Sequence, residues 1–128
     1  MRVCIICGFR SLADAGLVDD AVTASGWSGT IAAVIHGAAP GVDAAAGRWG
    51  DASGLPVEAM PADWHRYGRA AGMRRNAEMA TRAAGLAQER GMDACCIAIP
   101  GPGSIGTWGM VELCKHRGIP CYVAGGRP

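Results

Sequence analysis

The feature that most constrains the fold of this chain is a regular alternation of short apolar runs with longer helix-forming stretches. Five runs rich in Val, Ile, Ala and Cys are separated by four stretches that are amphipathic or rich in alanine. Short, continuous apolar runs are typical of strands that are covered on both faces. Strict alternation of strand and helix predicts a parallel sheet joined by right-handed crossovers. We therefore predict a Rossmann-like, three-layer αβα fold with a five-stranded parallel sheet in the order 3-2-1-4-5.

The predicted strands are RVCIIC, IAAVIHG, PVEAMP, DACCIAI and IPCYVAG. The first helix is expected to stop around Ser25-Gly26, and the second, Ala-rich helix at Gly54, just before Pro56. The longest helix is predicted from about Arg69 to Arg90, with Met73, Ala77, Ala80 and Ala84 at helical spacing, after a loop ADWHRYG.

Length and composition indicate one soluble domain spanning residues 1–128. A chain of 128 residues with a formal net charge of +1 can bury one core and has no global attraction to nucleic acid or membranes. No stretch approaches the roughly 20 apolar residues of a membrane span, and the run VCIIC is too short for a signal peptide. We expect a cytoplasmic protein without a membrane partner.

The six cysteines are interpreted as buried thiols, because five of them lie in predicted strands. Cys4 and Cys7 resemble a metal or redox pair, but residues three apart in a strand point to opposite faces. No second CxxC and no nearby His pair completes a zinc site, so we predict no metal and no cofactor. His36, His65 and His116 are scattered, and a catalytic triad is not supported.

Ligands of open parallel sheets bind beyond the carboxyl ends of the strands, where the strand order reverses. Three unusual loops leave those ends. The first carries Gly8 and Arg10 and the second carries Gly37, Gly41 and Asp43. The third, PGPGSIGT, opens a helix and is interpreted as a phosphate cradle, although a plain strand-to-helix turn is the alternative. It is neither a GxGxxG at the right place for a dinucleotide-binding fingerprint nor a GxxxxGK[ST] P-loop. Its candidate ligand-binding residues are Gly101, Gly103, Ser104, Gly106 and Thr107.

Further candidates come from the longest helix and the elements around it. Arg74 and Arg75 lie in its first turns, where they either contact phosphate oxygens or form a solvated basic face, and Asn76 is placed to read a sugar or base edge. Asp43 is either a helix cap or a partner for a ribose hydroxyl. Trp64 and Tyr67 either stack on a base or cover the end of the sheet.

Taken together, these segments resemble a known superfamily. The segments GFR, GAAPGVDAAAGRWG, PADWHRYGRAAGMRRNAEM and PGPGSIGTWGMV resemble the SLOG superfamily, and within it the small stand-alone YspA-like proteins. The resemblance extends over nearly the whole chain. It implies the fold and a nucleotide-type pocket.

Among better-understood relatives are the Lonely Guy phosphoribohydrolases, which cleave the N-glycosidic bond of cytokinin riboside monophosphates. Their motifs have the form RKxxM and PGGxGTxxE. The segment RNAEM aligns Arg75 with the catalytic Arg of that group and Met79 with its Met. The second motif is two residues longer here before Gly106-Thr107, and Met110 occupies the position of the catalytic Glu. Glu112 is the nearest acid, about 200° around the helix from Met110.

The predicted function is binding or sensing of a phosphate-bearing nucleotide or nucleotide-derived ligand. The first alternative is an N-glycosidase acting on nucleoside monophosphates, with Arg75, Glu112, Asp43 and Asp63 as candidate catalytic residues. The second is a single-stranded nucleic-acid binder, which the neutral overall charge disfavours. The expected partners are a nucleotide-type small molecule and further copies of the chain, in a homodimer or higher homo-oligomer.

Overall fold

The computed structural model describes residues 1–125. Five strands form one fully parallel sheet in the order β3-β2-β1-β4-β5. The strands are β1 (Arg2–Gly8), β2 (Ile31–His36), β3 (Val57–Ala59), β4 (Asp93–Ile99) and β5 (Cys121–Val123). The long helices are α1 (Ala15–Ser25), α2 (Val42–Ala52), α4 (Ala71–Arg90) and α5 (Ile105–Arg117). The predicted fold class and strand order are confirmed.

Two apolar layers lie on opposite faces of the sheet. Helices α1 and α2 pack on one face through Val18, Val22 and Ala45, and helices α4 and α5 pack on the other through Met79, Ala83 and Met110. The strands are covered on both sides, which explains why their sequences are continuously apolar rather than alternating. No helix within residues 1–125 is long and apolar enough to cross a membrane.

The segment between β3 and α4 differs from its prediction as a loop. It contains a single helical turn, α3 (Trp64–Tyr67), and a 3₁₀ turn over Gly68–Ala70, so α4 begins at Ala71. Asp63 caps α3, because its carboxylate accepts a hydrogen bond from the Arg66 N–H at 3.0 Å. Gly68 ends it with a φ of 55°, a conformation that favours glycine.

The core face of α4 also differs from the predicted one. The buried stripe is Met79, Ala80, Ala83, Leu86 and Ala87, whereas Met73 and Ala84 are exposed. Ala80, which was predicted on the core face, is buried, but alanines continue past the buried stripe at Ala77 and Ala84, so apolar spacing alone misplaced the centre of the face. The thioether of Met73 lies instead against Gly109 of α5.

The two apolar layers separate the cysteines as expected. Cys4 lies in one layer and Cys7 in the other, and all six thiols are free. Burial raises the pKa of the Cys4 thiol well above its ordinary value, and hydrogen bonding with Cys121 raises the pKa of Cys114 to about 12. Cys121 alone is partly exposed.

We predict that the native protein reacts quickly with an aromatic disulfide reagent at one thiol at most. The thiolate is the reactive form, and burial suppresses both its formation and its access. Absorbance of the released thiol should report six reactive groups after unfolding in guanidinium. The variant Cys121→Ser should lose any fast phase. Rapid reaction of two or more native thiols would contradict the buried arrangement.

Candidate functional site

A cavity of about 480 Å³ lies at the carboxyl ends of the strands. The loops after β1 and β2, the start of α4 and the start of α5 all contribute to it. It therefore lies at the point where the strand order reverses, which is between β1 and β4. The lining residues are Cys7, Gly8, Phe9, Arg10, Ser11, Ala39, Asp43, Trp64, Gly72, Arg75, Asn76, Met79, Gly103, Ser104, Ile105, Gly106 and Thr107.

The loop after β1 is held tightly against its neighbours. The Phe9 N–H donates to the Ile99 carbonyl at 2.9 Å, and the Phe9 carbonyl accepts from the Val42 N–H at 3.0 Å. A Cβ on Gly8 would overlap the Ile99 carbonyl and lie 2.8 Å from Val42. Only glycine at this position lets the ends of β1 and β4 and the start of α2 meet at the cavity.

Arg75 joins the loop after β2 to α4. Its guanidinium donates to the Gly37 carbonyl at 2.5 Å and, through Nε, to the Asn76 Oδ1 at 3.1 Å. Asn76 is buried and donates through Nδ2 to the Gly106 carbonyl at 3.1 Å. One chain of hydrogen bonds thus links the β2 loop, α4 and α5, with Arg75 and Asn76 both lining the cavity.

The glycine-rich loop after β4 is ordered by its own groups. The Gly101 N–H donates to the Ser104 Oγ at 2.8 Å, and Gly103 adopts a φ of 74°. Because the Ser104 hydroxyl is used within the loop, no side chain caps α5. The first N–H groups of a helix have no partner within the helix and carry a partial positive charge. Those of Gly106 and Thr107 therefore remain available on the cavity lining.

Asp43 is a buried carboxyl on the cavity lining. Helix α2 begins after Gly41 without a side-chain cap, so the cap interpretation of Asp43 is wrong. Its Oδ2 instead accepts from the Ala39 N–H at 3.2 Å. Burial raises the pKa of Asp43, while the Ala39 hydrogen bond and the Arg75 charge oppose that shift.

His36 lies beside this carboxyl at the end of β2. Burial lowers its pKa, and nearby Asp43 opposes the shift. The His36 Nδ1 accepts from the Ala38 N–H at 3.0 Å, so a neutral ring carries its proton on Nε2. Ala38 has a φ of 58°, a conformation that costs a non-glycine residue about 1–2 kcal/mol. The loop accepts this strain while bonding to both side chains.

Ten of the fourteen residues predicted to bind a ligand line the cavity. They are Gly8, Arg10, Asp43, Trp64, Arg75, Asn76, Gly103, Ser104, Gly106 and Thr107.

The other four predicted residues are not among those that line the cavity. A Cβ on Gly37 would overlap the Arg75 guanidinium, one on Gly41 would overlap the Phe9 carbonyl, and one on Gly101 would lie 2.5 Å from the Phe9 ring. These glycines allow close packing around the cavity. The Arg74 guanidinium lies 4.0 Å from the centroid of the Tyr67 ring.

Two of the candidate catalytic carboxylates lie elsewhere. Asp63 caps α3, and Glu112 is exposed on α5 outside the cavity lining. Met110, at the aligned position of the hydrolase acid, is fully buried in the core. An acid introduced there would be buried among apolar groups rather than presented to a ligand. Asp43 is the candidate carboxylate that the structure places on the cavity lining.

Several lining residues were not among the predicted ligand-binding residues, notably Phe9, Ser11, Gly72 and Ile105. Phe9 is the only Phe of the chain and stands between two predicted residues, which was an available signal. Ile105 is 83% exposed at the first position of α5, an unusual place for a large apolar side chain. Gly72 has no comparable signal, since it lines the cavity only because α4 begins there.

These features define a Rossmann-like α/β protein with a cavity of mixed polar and apolar lining at the carboxyl edge of its sheet. The sequence profile of the YspA, cpYpsA-related SLOG family matches residues 1–67. The Gene 61 protein of Mycobacterium phage D29 is 32% identical over 100 residues, which cover 74% of this chain and 73% of that protein. No solved structure matches the chain. The chain belongs to the YspA, cpYpsA-related SLOG family, as the resemblance predicted.

We predict that Asp43→Asn changes the pH dependence of stability. The carboxyl of Asp43 has a pKa above its ordinary value of 3.8, so the folded state holds this proton more tightly than the unfolded state. Stability is therefore lost as the pH rises from below 3.8 through the raised pKa, and asparagine avoids that loss. The free energy of unfolding of the variant minus that of the wild type, measured with urea, should increase across this pH range and stay constant above it.

The control for this prediction is Asp20→Asn, which removes the same charge at an exposed position of α1. Its free energy of unfolding should follow the wild type at every pH. Parallel pH profiles for Asp43→Asn and the wild type would show that burial of Asp43 does not govern its ionisation.

Proposed function

We propose that the protein binds a phosphate-bearing nucleotide or nucleotide-derived ligand in the cavity at the carboxyl ends of its strands. SLOG family membership suggests a nucleotide-related function. The observation that carries the proposal is the convergence of Arg75 and the uncapped start of α5 on one cavity. A helix N-terminus and an arginine fork both favour a phosphate.

The lining suggests an orientation for this ligand. Its phosphate lies on Gly103 to Thr107 within reach of Arg75, and its base lies towards Trp64 at the mouth of the cavity. Trp64 is 54% exposed and its ring lies against Gly72, so one face is available for stacking. A volume of about 480 Å³ lies within the range of small-molecule sites.

Charge on the lining supports an anionic ligand. Arg10 and Arg75 contribute two positive charges, and Asp43 is the single carboxyl among the lining residues. Because burial raises the pKa of Asp43, its carboxyl loses its negative charge at a higher pH than an ordinary aspartate does. In this proposal Asp43 contacts a ribose hydroxyl, which serves equally well as donor to a carboxylate and acceptor from a carboxylic acid.

We predict that Arg75→Gln weakens binding of a nucleoside monophosphate about tenfold or more and changes binding of the matching nucleoside less than about twofold. The reason is the loss of a charge-assisted contact, typically worth about 1.5–3 kcal/mol. Titration calorimetry with the four common ribonucleoside monophosphates and their nucleosides measures both effects. The control is Arg82→Gln, since Arg82 lies on the exposed surface and pairs with Glu58 at 2.9 Å.

Arg75 also donates to the Gly37 carbonyl, so Arg75→Lys serves as a second variant that keeps the charge but loses the fork. Circular dichroism establishes that both variants are folded. Equal losses for monophosphate and nucleoside would mean that Arg75 positions the β2 loop and does not contact the phosphate.

The specific observation that favours a second candidate function is Asp43. A buried carboxyl with a raised pKa beside an arginine on a cavity lining is a suitable general acid for N-glycosidic hydrolysis. The phosphoribohydrolase arrangement is absent, because Met110 occupies the aligned position and points into the core. Binding without hydrolysis therefore remains the leading proposal.

We predict that the wild-type protein releases no free base from nucleoside monophosphates above the uncatalysed background. Chromatography of the reaction mixture over a range of pH provides the measurement, with Asp43→Asn as the comparison. Base release by the wild type that disappears in Asp43→Asn would establish the hydrolase instead. Release that survives this substitution would remove Asp43 from the mechanism.

A further inference from the structure

Beside the cavity, two arginines share one aromatic ring. The guanidinium carbons of Arg66 and Arg74 lie 5.1 and 4.0 Å from the centroid of the Tyr67 ring. Both arginines are exposed, and Tyr67 is half-buried. We refer to Arg66, Tyr67 and Arg74 as the Tyr67 cluster. Cation–π contact with one ring holds the two positive charges within about 9 Å of each other.

Within residues 1–125, no carboxylate oxygen lies within 4.0 Å of the Arg66 or Arg74 guanidinium. The ion pair found within residues 1–125 joins Arg82 to Glu58, and neither of these residues belongs to the cluster. Asp63, the acid closest in sequence, accepts a hydrogen bond from the backbone N–H of Arg66. Two exposed guanidiniums that form no ion pair keep N–H donors available for the oxygens of an anion.

The Tyr67 cluster adjoins the cavity through two connections. Trp64 belongs to the same helical turn as Tyr67 and lines the cavity. Arg75, which also lines the cavity, directly follows Arg74, and consecutive Cα atoms are about 3.8 Å apart. The two side chains diverge, Arg75 towards Gly37 and Arg74 towards Tyr67. A ligand that extends out of the cavity past Trp64 therefore comes to the Tyr67 cluster.

We propose that the Tyr67 cluster is a second anion subsite, continuous with the cavity, that takes a further phosphate of the same ligand. The inference rests on the proposed function and makes it more specific. The ligand is then a nucleotide with a pyrophosphate group rather than a monophosphate. Guanidinium groups suit this role because each presents a fork of donors to phosphate oxygens. A phosphodiester offers the same chemistry, so the experiment includes one.

The test compares paired ligands on the folded protein by titration calorimetry. The probes are each common ribonucleoside monophosphate, the matching diphosphate and a 5′-phosphorylated dinucleotide. The test variant is Arg66→Gln with Arg74→Gln. Its control is Arg82→Gln with Arg90→Gln, which removes the same charge from exposed positions farther along α4.

We expect the wild type to bind at least one diphosphate about tenfold more tightly than the matching monophosphate, as one charged contact typically provides. The test variant should lose this preference and keep its monophosphate affinity within about twofold. The control should retain the preference. Arg75→Gln should weaken both ligands together, because it acts on the first phosphate.

Equal wild-type affinities for monophosphate and diphosphate, or a preference that survives in the test variant, would overturn the second subsite and leave the proposed function intact. A larger preference for the dinucleotide than for the diphosphate would overturn the assignment to a pyrophosphate. Absence of nucleotide binding would overturn the proposed function and this inference together.

Discussion

The structure depends on the parallel pairing of β1 with β4 at the centre of the sheet. The two strands are in register from Arg2 with Asp93 to Gly8 with Ile99, and both are buried almost throughout. Right-handed crossovers leaving this pair in opposite directions place α1 and α2 on one face and α4 and α5 on the other. The loops after β1 and β4 leave the same edge of the sheet towards helices on opposite faces, while Phe9 and Gly101 lie against each other. The cavity lies at this edge, between these loops and the start of α4.

Hydrogen bonding across this edge then fixes the cavity walls. Arg75 of α4 holds the Gly37 carbonyl, and Asn76 holds the Gly106 carbonyl at the start of α5. Arg75 and Asn76 therefore line the cavity and also join the β2 loop to helices α4 and α5. A guanidinium used in this way is oriented before any ligand arrives, which lowers the entropic cost of binding. Structure and proposed recognition rest on the same side chains, so variants of either residue have to be checked for folding.

The sequence predicted the fold more completely than the site. The alternation of strands and helices predicted the strand order, and the chemistry of the loops predicted most of the lining residues. Both signals are local in the sequence. The core face of α4 was predicted correctly at Ala80 but not around it, since alanines beside the buried stripe blur its edge. The turn at Trp64–Tyr67 was missed because four residues are too few for a periodic signal, although Asp63 and Gly68 marked its ends. Glycines 37, 41 and 101 were recognised as special, but their role in close packing required the neighbouring chain segments.

By itself, the sequence determined the parallel αβα architecture, the position of three glycine-containing loops at one edge of the sheet and the membership of the SLOG superfamily. These properties follow from short-range patterns, in which apolar runs and glycines specify strands and turns locally. Only the tertiary structure decided which of three candidate carboxylates lies on the cavity lining, because Asp43, Asp63 and Glu112 have similar chemistry and differ only in where the chain folds them. It likewise separated two adjacent arginines, directing Arg75 to Gly37 and Arg74 to Tyr67. Side-chain direction and burial arise from contacts between segments distant in sequence, and no local pattern contains them.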